Sequence, residues 1–211
     1  MKYELFIQKV QNLPLVDTKL FLAGQKNSGA MKVQISRWEG LGKLIQLRRG
    51  IYLLPRIYQK KKCDTFYIGN YLKRPSYVSF EKALEFYGLI PEAVFICGSV
   101  TTKRPVKYET DVGVFDYKHI QTKYFWGYDS LTLNNETIFI ALPEKALLDF
   151  FYFNAVDPTM GYLKGMRLQN LEQINLERLF AYAKRFAKPK MLNTAQILKQ
   201  YMANNADEVL L

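Results

Sequence analysis

The chain has 211 residues, 49% hydrophobic and 23% charged, with a formal charge of +11. That is an ordinary globular composition, enough for one large domain or two small ones. Two cysteines, Cys63 and Cys97, lack CxxC spacing, which argues against a disulfide framework or a zinc site. No apolar run is long enough to span a bilayer, so a cytoplasmic protein is expected. The charge is unevenly placed: residues 1–62 hold 13 Lys and Arg against 3 Asp and Glu, a net +10, and the rest of the chain is close to neutral. A basic N-terminal module that faces a polyanion, followed by a neutral C-terminal one, fits this split.

Leu5, Phe6, Val10 and Leu13 recur at helical spacing before Pro14, and predict a first helix over residues 3–12. Asp17 is placed to cap a short second helix over Thr18 to Ala23 that Gly24 ends. A polar turn, residues 25–29, leads to a third helix over Ala30 to Leu41, with Ser28 as its cap. At about 100° per residue, Met31, Ile35, Trp38 and Leu41 share the inner face. Lys32, Val33, Ser36, Arg37 and Gly40 form a small, basic outer one, while Gln34 falls awkwardly near the inner side. Gly40 and Gly42 close the helix. Alternation then takes over: Ile45 and Leu47 precede Arg48-Arg49-Gly50, and Ile51 and Leu53 follow it. The pattern is a hairpin with two arginines at its tip.

Three helices and a basic hairpin predict a winged helix-turn-helix over residues 1–60, with the third helix in a major groove and the hairpin on phosphates. The candidate DNA-binding residues are Lys26, Ser28, Lys32, Ser36, Arg37, Lys43, Arg48 and Arg49. Residues 58–62, Tyr-Gln-Lys-Lys-Lys, read as a basic linker that can add phosphate contacts. Residues 61–211 read as an α/β domain with helices over 65–73 and over Phe80 to Tyr87, the latter capped by Ser79. Strands follow over Ala93 to Ser99, Val112 to Tyr117 and Thr137 to Ala141. Pro143 opens a buried helix, and a helical tail from about residue 170 holds helices over 176–186 and 193–204, interrupted by Pro189. The fold class expected is α+β.

Ser36-Arg37-Trp38, Gly42-Lys43-Leu44 and Leu47-Arg48-Arg49-Gly50-Ile51-Tyr52 resemble the winged-helix module of AbiEi-type antitoxins. Three later blocks extend the resemblance: Pro75 to Ser79 with Ala83-Leu84 and Tyr87 to Glu92; Val100 to Arg104; and Pro143-Glu144-Lys145-Ala146-Leu147-Leu148-Asp149. It covers roughly residues 3–155, and Glu81-Lys82 departs from the small or polar pair usual there. The resemblance implies an autorepressor that binds double-stranded DNA at its own promoter, with a repeat operator expected. It also implies an antitoxin of a type IV abortive-infection pair that counteracts a nucleotidyltransferase-like toxin without a stable complex. It points to Ser79, Lys103, Arg104, Glu144, Lys145 and Asp149 as the antitoxin surface, on the view that the loop after Val100 and the start of the Pro143 helix face one cleft.

Each of these residues also has a plainer reading. Glu144 suits the start of a helix, Asp149 is a partner for Lys145 four residues before it, and Lys103 and Arg104 fit a solvated loop. No catalytic residue, metal or cofactor is expected. His119 is the only histidine, which rules out a multi-histidine metal site. Glu144, Lys145 and Asp149 with Asp111 or Asp116 could instead form a magnesium-dependent site, making the chain a nucleic-acid-processing enzyme whose winged helix delivers substrate. A third reading is a module whose basic helix docks on an acidic protein. The many Tyr and Phe fall mostly in apolar periodic segments and read as core rather than as stacking platforms.

Overall fold

The computed structural model describes residues 1–24 and 28–208. The N-terminal part runs α1 (Tyr3–Val10), β1 (Val16–Asp17), α2 (Thr18–Leu22), α3 (Ser28–Gly40), then a hairpin of β2 (Ile45–Arg48) and β3 (Ile51–Leu53). The three strands form one antiparallel sheet in the order β1-β3-β2. Asp17 caps α2, its carboxylate accepting the Lys19 N–H at 2.8 Å. The C-terminus of α3 is closed by the Lys43 N–H donating to the Trp38 carbonyl at 2.8 Å, with Gly42 at φ +67° supplying the left-handed residue this bond needs.

Phe6, Val10, Met31, Ile35 and Trp38 bury the inner faces of α1 and α3, with the Phe6 and Trp38 rings 4.9 Å apart. Two sequence expectations change here. Leu41 is 70% exposed, because it lies past the helix end where 100° steps no longer apply. Ser28 is the first residue of α3, which begins two residues earlier than expected, rather than a residue ahead of it. Gln34, awkward on the wheel, accepts a hydrogen bond from the Met1 amine at 3.0 Å and so is matched at the edge of the core.

The C-terminal part contains α4 (Thr65–Leu72), β4 (Ser76–Val78), α5 (Phe80–Phe86), β5 (Ile96–Thr101), β6 (Val106–Thr110), β7 (Gly113–His119), β8 (Tyr128–Leu133), β9 (Glu136–Ala141), α6 (Pro143–Phe153), α7 (Met160–Gly165), α8 (Leu176–Arg185) and α9 (Pro189–Glu208). Its six strands form one mixed sheet in the order β6-β7-β5-β4-β9-β8, parallel at β5/β7 and β4/β9 and antiparallel elsewhere. The architecture is thus α+β. The strands β4, β6 and β8 and the helix α7 join those expected. The break between the last two helices falls just ahead of Pro189 as expected, and Pro189 itself is the first residue of α9, where a proline costs no hydrogen bond. The tail is not an appendage: Leu179, Ala183, Phe186, Ala195 and Leu198 are fully buried in the main core. Among the described residues no helix is long and apolar enough to cross a membrane.

The hairpin joins the two parts. Successive residues of a strand point to opposite faces, and β3 is buried on both. Tyr52, with Leu44, Leu54 and Val16, belongs to the core of the N-terminal helices, while Ile51 and Leu53, with Leu15 and Leu47, belong to the core of the large sheet. The segment read as a linker is pinned as well. The Lys60 N–H donates to the Gln11 carbonyl at 3.1 Å, the Gln59 amide to the Leu54 carbonyl at 2.6 Å, and Lys61 pairs with Glu136.

Candidate nucleic-acid interface

The outer face of α3 is as the wheel predicts: Lys32, Val33, Ser36, Arg37 and Gly40 are all exposed. Lys32 and Arg37 have no acidic partner among the described residues. Small neighbours on either side leave the two long cations free to reach outward. Lys43 is exposed just past the helix; its ammonium lies 5.0 Å from the Tyr3 ring centre, and its carbonyl accepts the Tyr3 hydroxyl at 2.6 Å. Burial, more than the neighbouring Tyr58 and Glu4, pushes the Tyr3 hydroxyl up to about 12. Ser28 is half-buried, and Lys26 lies outside the described residues.

The two arginines of the hairpin part company. Arg49 is exposed in the turn with Gly50, which takes φ +88°; Arg48 is the last residue of β2 and half-buried. Burial raises the Tyr71 and Tyr117 hydroxyls, and the Arg48 charge acts weakly in the opposite direction on both. The Arg48 Nε is buried without a partner among the described residues, and its Nη1 reaches the Arg49 carbonyl at 3.4 Å. The hairpin tip is also fastened, since both the N–H and the hydroxyl of Thr18 donate to the Gly50 carbonyl, at 2.9 and 3.0 Å. Of the pair expected at the tip, Arg49 alone is presented to solvent.

The C-terminal candidates divide more sharply. Lys103 and Arg104 are exposed in the loop after β5, whereas Ser79, Glu144, Lys145 and Asp149 are fully buried. The last four are therefore not part of a surface. Lys145 pairs with Asp149 one turn along α6 and donates to the Tyr77 hydroxyl at 2.9 Å; the Tyr77 and Ser79 hydroxyls donate to the second Asp149 oxygen at 3.0 and 2.9 Å. The ammonium sits against the Phe186, Trp126 and Tyr77 rings, 4.8 to 5.4 Å from their centres. Burial pushes Asp149 up and Lys145 down from their ordinary values, and their mutual attraction opposes both shifts. Ser79 makes no capping bond to α5, because its hydroxyl is given to Asp149.

Glu144 faces the other way along the same helix. It accepts from Arg178 Nε at 2.8 Å, from its Nη2 at 3.0 Å and from the Asn175 N–H at 2.6 Å, which ties α6 to the start of α8. It lies in the first turn of α6, as the sequence suggests, and also anchors the two helices together. The expected cleft is not formed either. β5 runs antiparallel to β4, and β4 parallel to β9, so the loop after β5 and the start of α6 after β9 emerge at opposite ends of the sheet. The carboxylates considered for magnesium are not gathered: Glu144 and Asp149 are each occupied by separate donors, and no cluster of three His, Cys, Asp or Glu able to hold a metal occurs among the described residues. Cys63 is half-buried and Cys97 buried, both as free thiols, and burial pushes each up to about 12.

Comparison with known proteins adds no relative: no protein-family model matches the chain, and no curated protein matches it in sequence.

Proposed function

We propose that the chain is a DNA-binding autorepressor and antitoxin, in which α1 to α3 and the β2/β3 hairpin act as a winged helix-turn-helix and the partner to be neutralised is a nucleotidyltransferase-like toxin. The observation that carries the DNA-binding half is the outer face of α3: Lys32, Ser36 and Arg37 are exposed among small residues, and among the described residues no acid neutralises the two cations. A helix with that face can enter a major groove, with Arg37 and Lys32 reaching phosphates or guanine edges. Exposed Lys43 and Arg49 flank it with further charge. The antitoxin half rests on the family resemblance of the sequence blocks. With Glu144, Lys145, Asp149 and Ser79 sealed in the core, Lys103 and Arg104 are the candidates left to meet solvent.

The test uses duplex DNA from upstream of the chain's own gene. Binding weakens steeply with salt, and Lys32→Ala with Arg37→Ala lowers the slope of log affinity against log salt by about 2. An unchanged slope removes α3 from the interface. Growth rescue upon coexpression with an adjacent nucleotidyltransferase-like gene tests the second half, and absence of rescue with intact duplex binding leaves a stand-alone repressor.

A further inference from the structure

A second feature of the junction is independent of α3. Asn70 of α4 sends its amide between β4 and β9: it donates to the Ser76 and Phe139 carbonyls and accepts the Phe139 N–H at 2.7 Å, standing in for a strand residue where the two strands splay. The splay opens a cleft of about 560 Å³ walled by the rings of Tyr67, Phe125, Tyr128 and Phe139. Phe139 is 40% exposed, on the face of β9 opposite the fully buried Ile138 and Ile140. Arg74 borders the cleft, its guanidinium 4.2 Å from the Tyr71 ring centre and without an acidic partner among the described residues.

On the far side of the Lys61–Glu136 ion pair lies a second hollow. It is lined by Lys60, Lys61, Lys62, Asn12 and the Asn134-Asn135 turn of the β8/β9 hairpin. Glu136 lines the aromatic cleft and Lys61 the basic hollow, so the two share a wall. The ammonium groups of Lys60 and Lys62 have no acid to neutralise them among the described residues.

Each half narrows the ligand. A purely apolar molecule gains nothing from the lysines, a small inorganic anion leaves the aromatic walls unfilled, and an organic cation is repelled by Arg74, Lys60 and Lys62. A flat ring joined to a phosphate uses both. We propose that this junction binds a nucleotide unit, its base among Tyr67, Phe139 and their neighbours and its phosphate on Lys60 and Lys62, either within a single strand of nucleic acid or as a free nucleotide. Stacking on aromatic faces with phosphate on lysines is how sequence-tolerant single-strand sites work. The site is separate from the duplex surface on α3.

The experiment measures fluorescence anisotropy of the full chain with a labelled single-stranded DNA of about twelve nucleotides, and calorimetry with ATP. Phe139→Ala, at a partly exposed position, weakens the oligonucleotide about tenfold, while Phe139→Trp restores it. An abasic strand of the same length competes poorly. Lys60→Gln with Lys62→Gln lowers the salt slope by about 1.4, the single-strand value for two phosphates. Strong oligonucleotide binding with weak ATP binding assigns a strand, and ATP binding alone a free nucleotide; either supports the site. No binding of either ligand by the unaltered chain, or equal binding by Phe139→Ala and by the abasic strand, overturns it. Lys32→Ala with Arg37→Ala leaves single-strand binding intact, and Phe139→Ala leaves duplex binding intact; equal loss of both ligands in either variant overturns the separation.

Discussion

On α3, Lys32 and Arg37 face water with no acidic partner among the described residues, and the packing of the helix does not depend on them. On α6, Lys145 and Asp149 are sealed at zero exposure, and each is bound to the other and to Tyr77 or Ser79. A lysine is thus left to solvent in one place and locked into the core in the other. Burial and satisfaction decide which. A buried ion pair is weak evidence for net stability, since desolvation offsets much of its attraction, but breaking one leaves an uncompensated charge.

Removing one member of the buried pair gives the largest expected effect. Asp149→Ala should cost about 3–5 kcal/mol in urea unfolding, and the double change Lys145→Met with Asp149→Leu should recover most of that. A loss below about 1 kcal/mol would mean that the pair is solvated and the contrast with α3 false. Next comes the shared hairpin: Ile51→Ala should cost about 2–4 kcal/mol, and thermal unfolding should remain a single transition because both cores lose contact together. Two separated transitions would mean that the cores are independent.

The alkaline limb gives a further contrast. Burial raises Tyr67 and Tyr87 from 10.0 to about 12 in the folded chain. Because the folded values lie above the unfolded ones, this contribution is complete below pH 10 and is lost as pH climbs toward 12. Melting temperature should therefore fall steeply across that interval, and a flat profile would show that these hydroxyls are wet. The smallest change in stability belongs to α3, where Lys32→Ala with Arg37→Ala should shift unfolding by no more than about 0.5 kcal/mol while weakening duplex binding.

The inner face of α3 was legible because Met31, Ile35 and Trp38 keep strict helical period, and it failed at Leu41 because a left-handed Gly42 follows. Asp17 could be identified as a cap from its neighbours; Ser79 could not, since its hydroxyl answers to Asp149, 70 residues away. In β6 the alternation of Val106, Tyr108 and Thr110 was available, with all three half-buried and their neighbours exposed. β4 has three residues, all buried, and offers no period to read. The block from Pro143 to Asp149 shows where pattern stops short: spacing predicts that Lys145 can meet Asp149, but not that α8, α9 and the sheet close over both. Arg48 and Arg49 look equivalent in sequence; they separate because Arg48 ends β2, half-buried, and Arg49 falls in the exposed turn. The cleft beside Tyr67 and Phe139 has no signal in the sequence, because the Asn70 amide that bounds it bonds Phe139, 69 residues away.

The two-sided burial of β3 bears on modularity. A fragment ending near residue 60 would carry α3 intact but leave Leu15, Leu47, Ile51 and Leu53 bare on one face of its sheet. Such a piece would aggregate rather than stand alone as a portable unit. Grafting α1 to β3 onto another partner would need a matching apolar seat, so the two halves of this chain are constrained to change together.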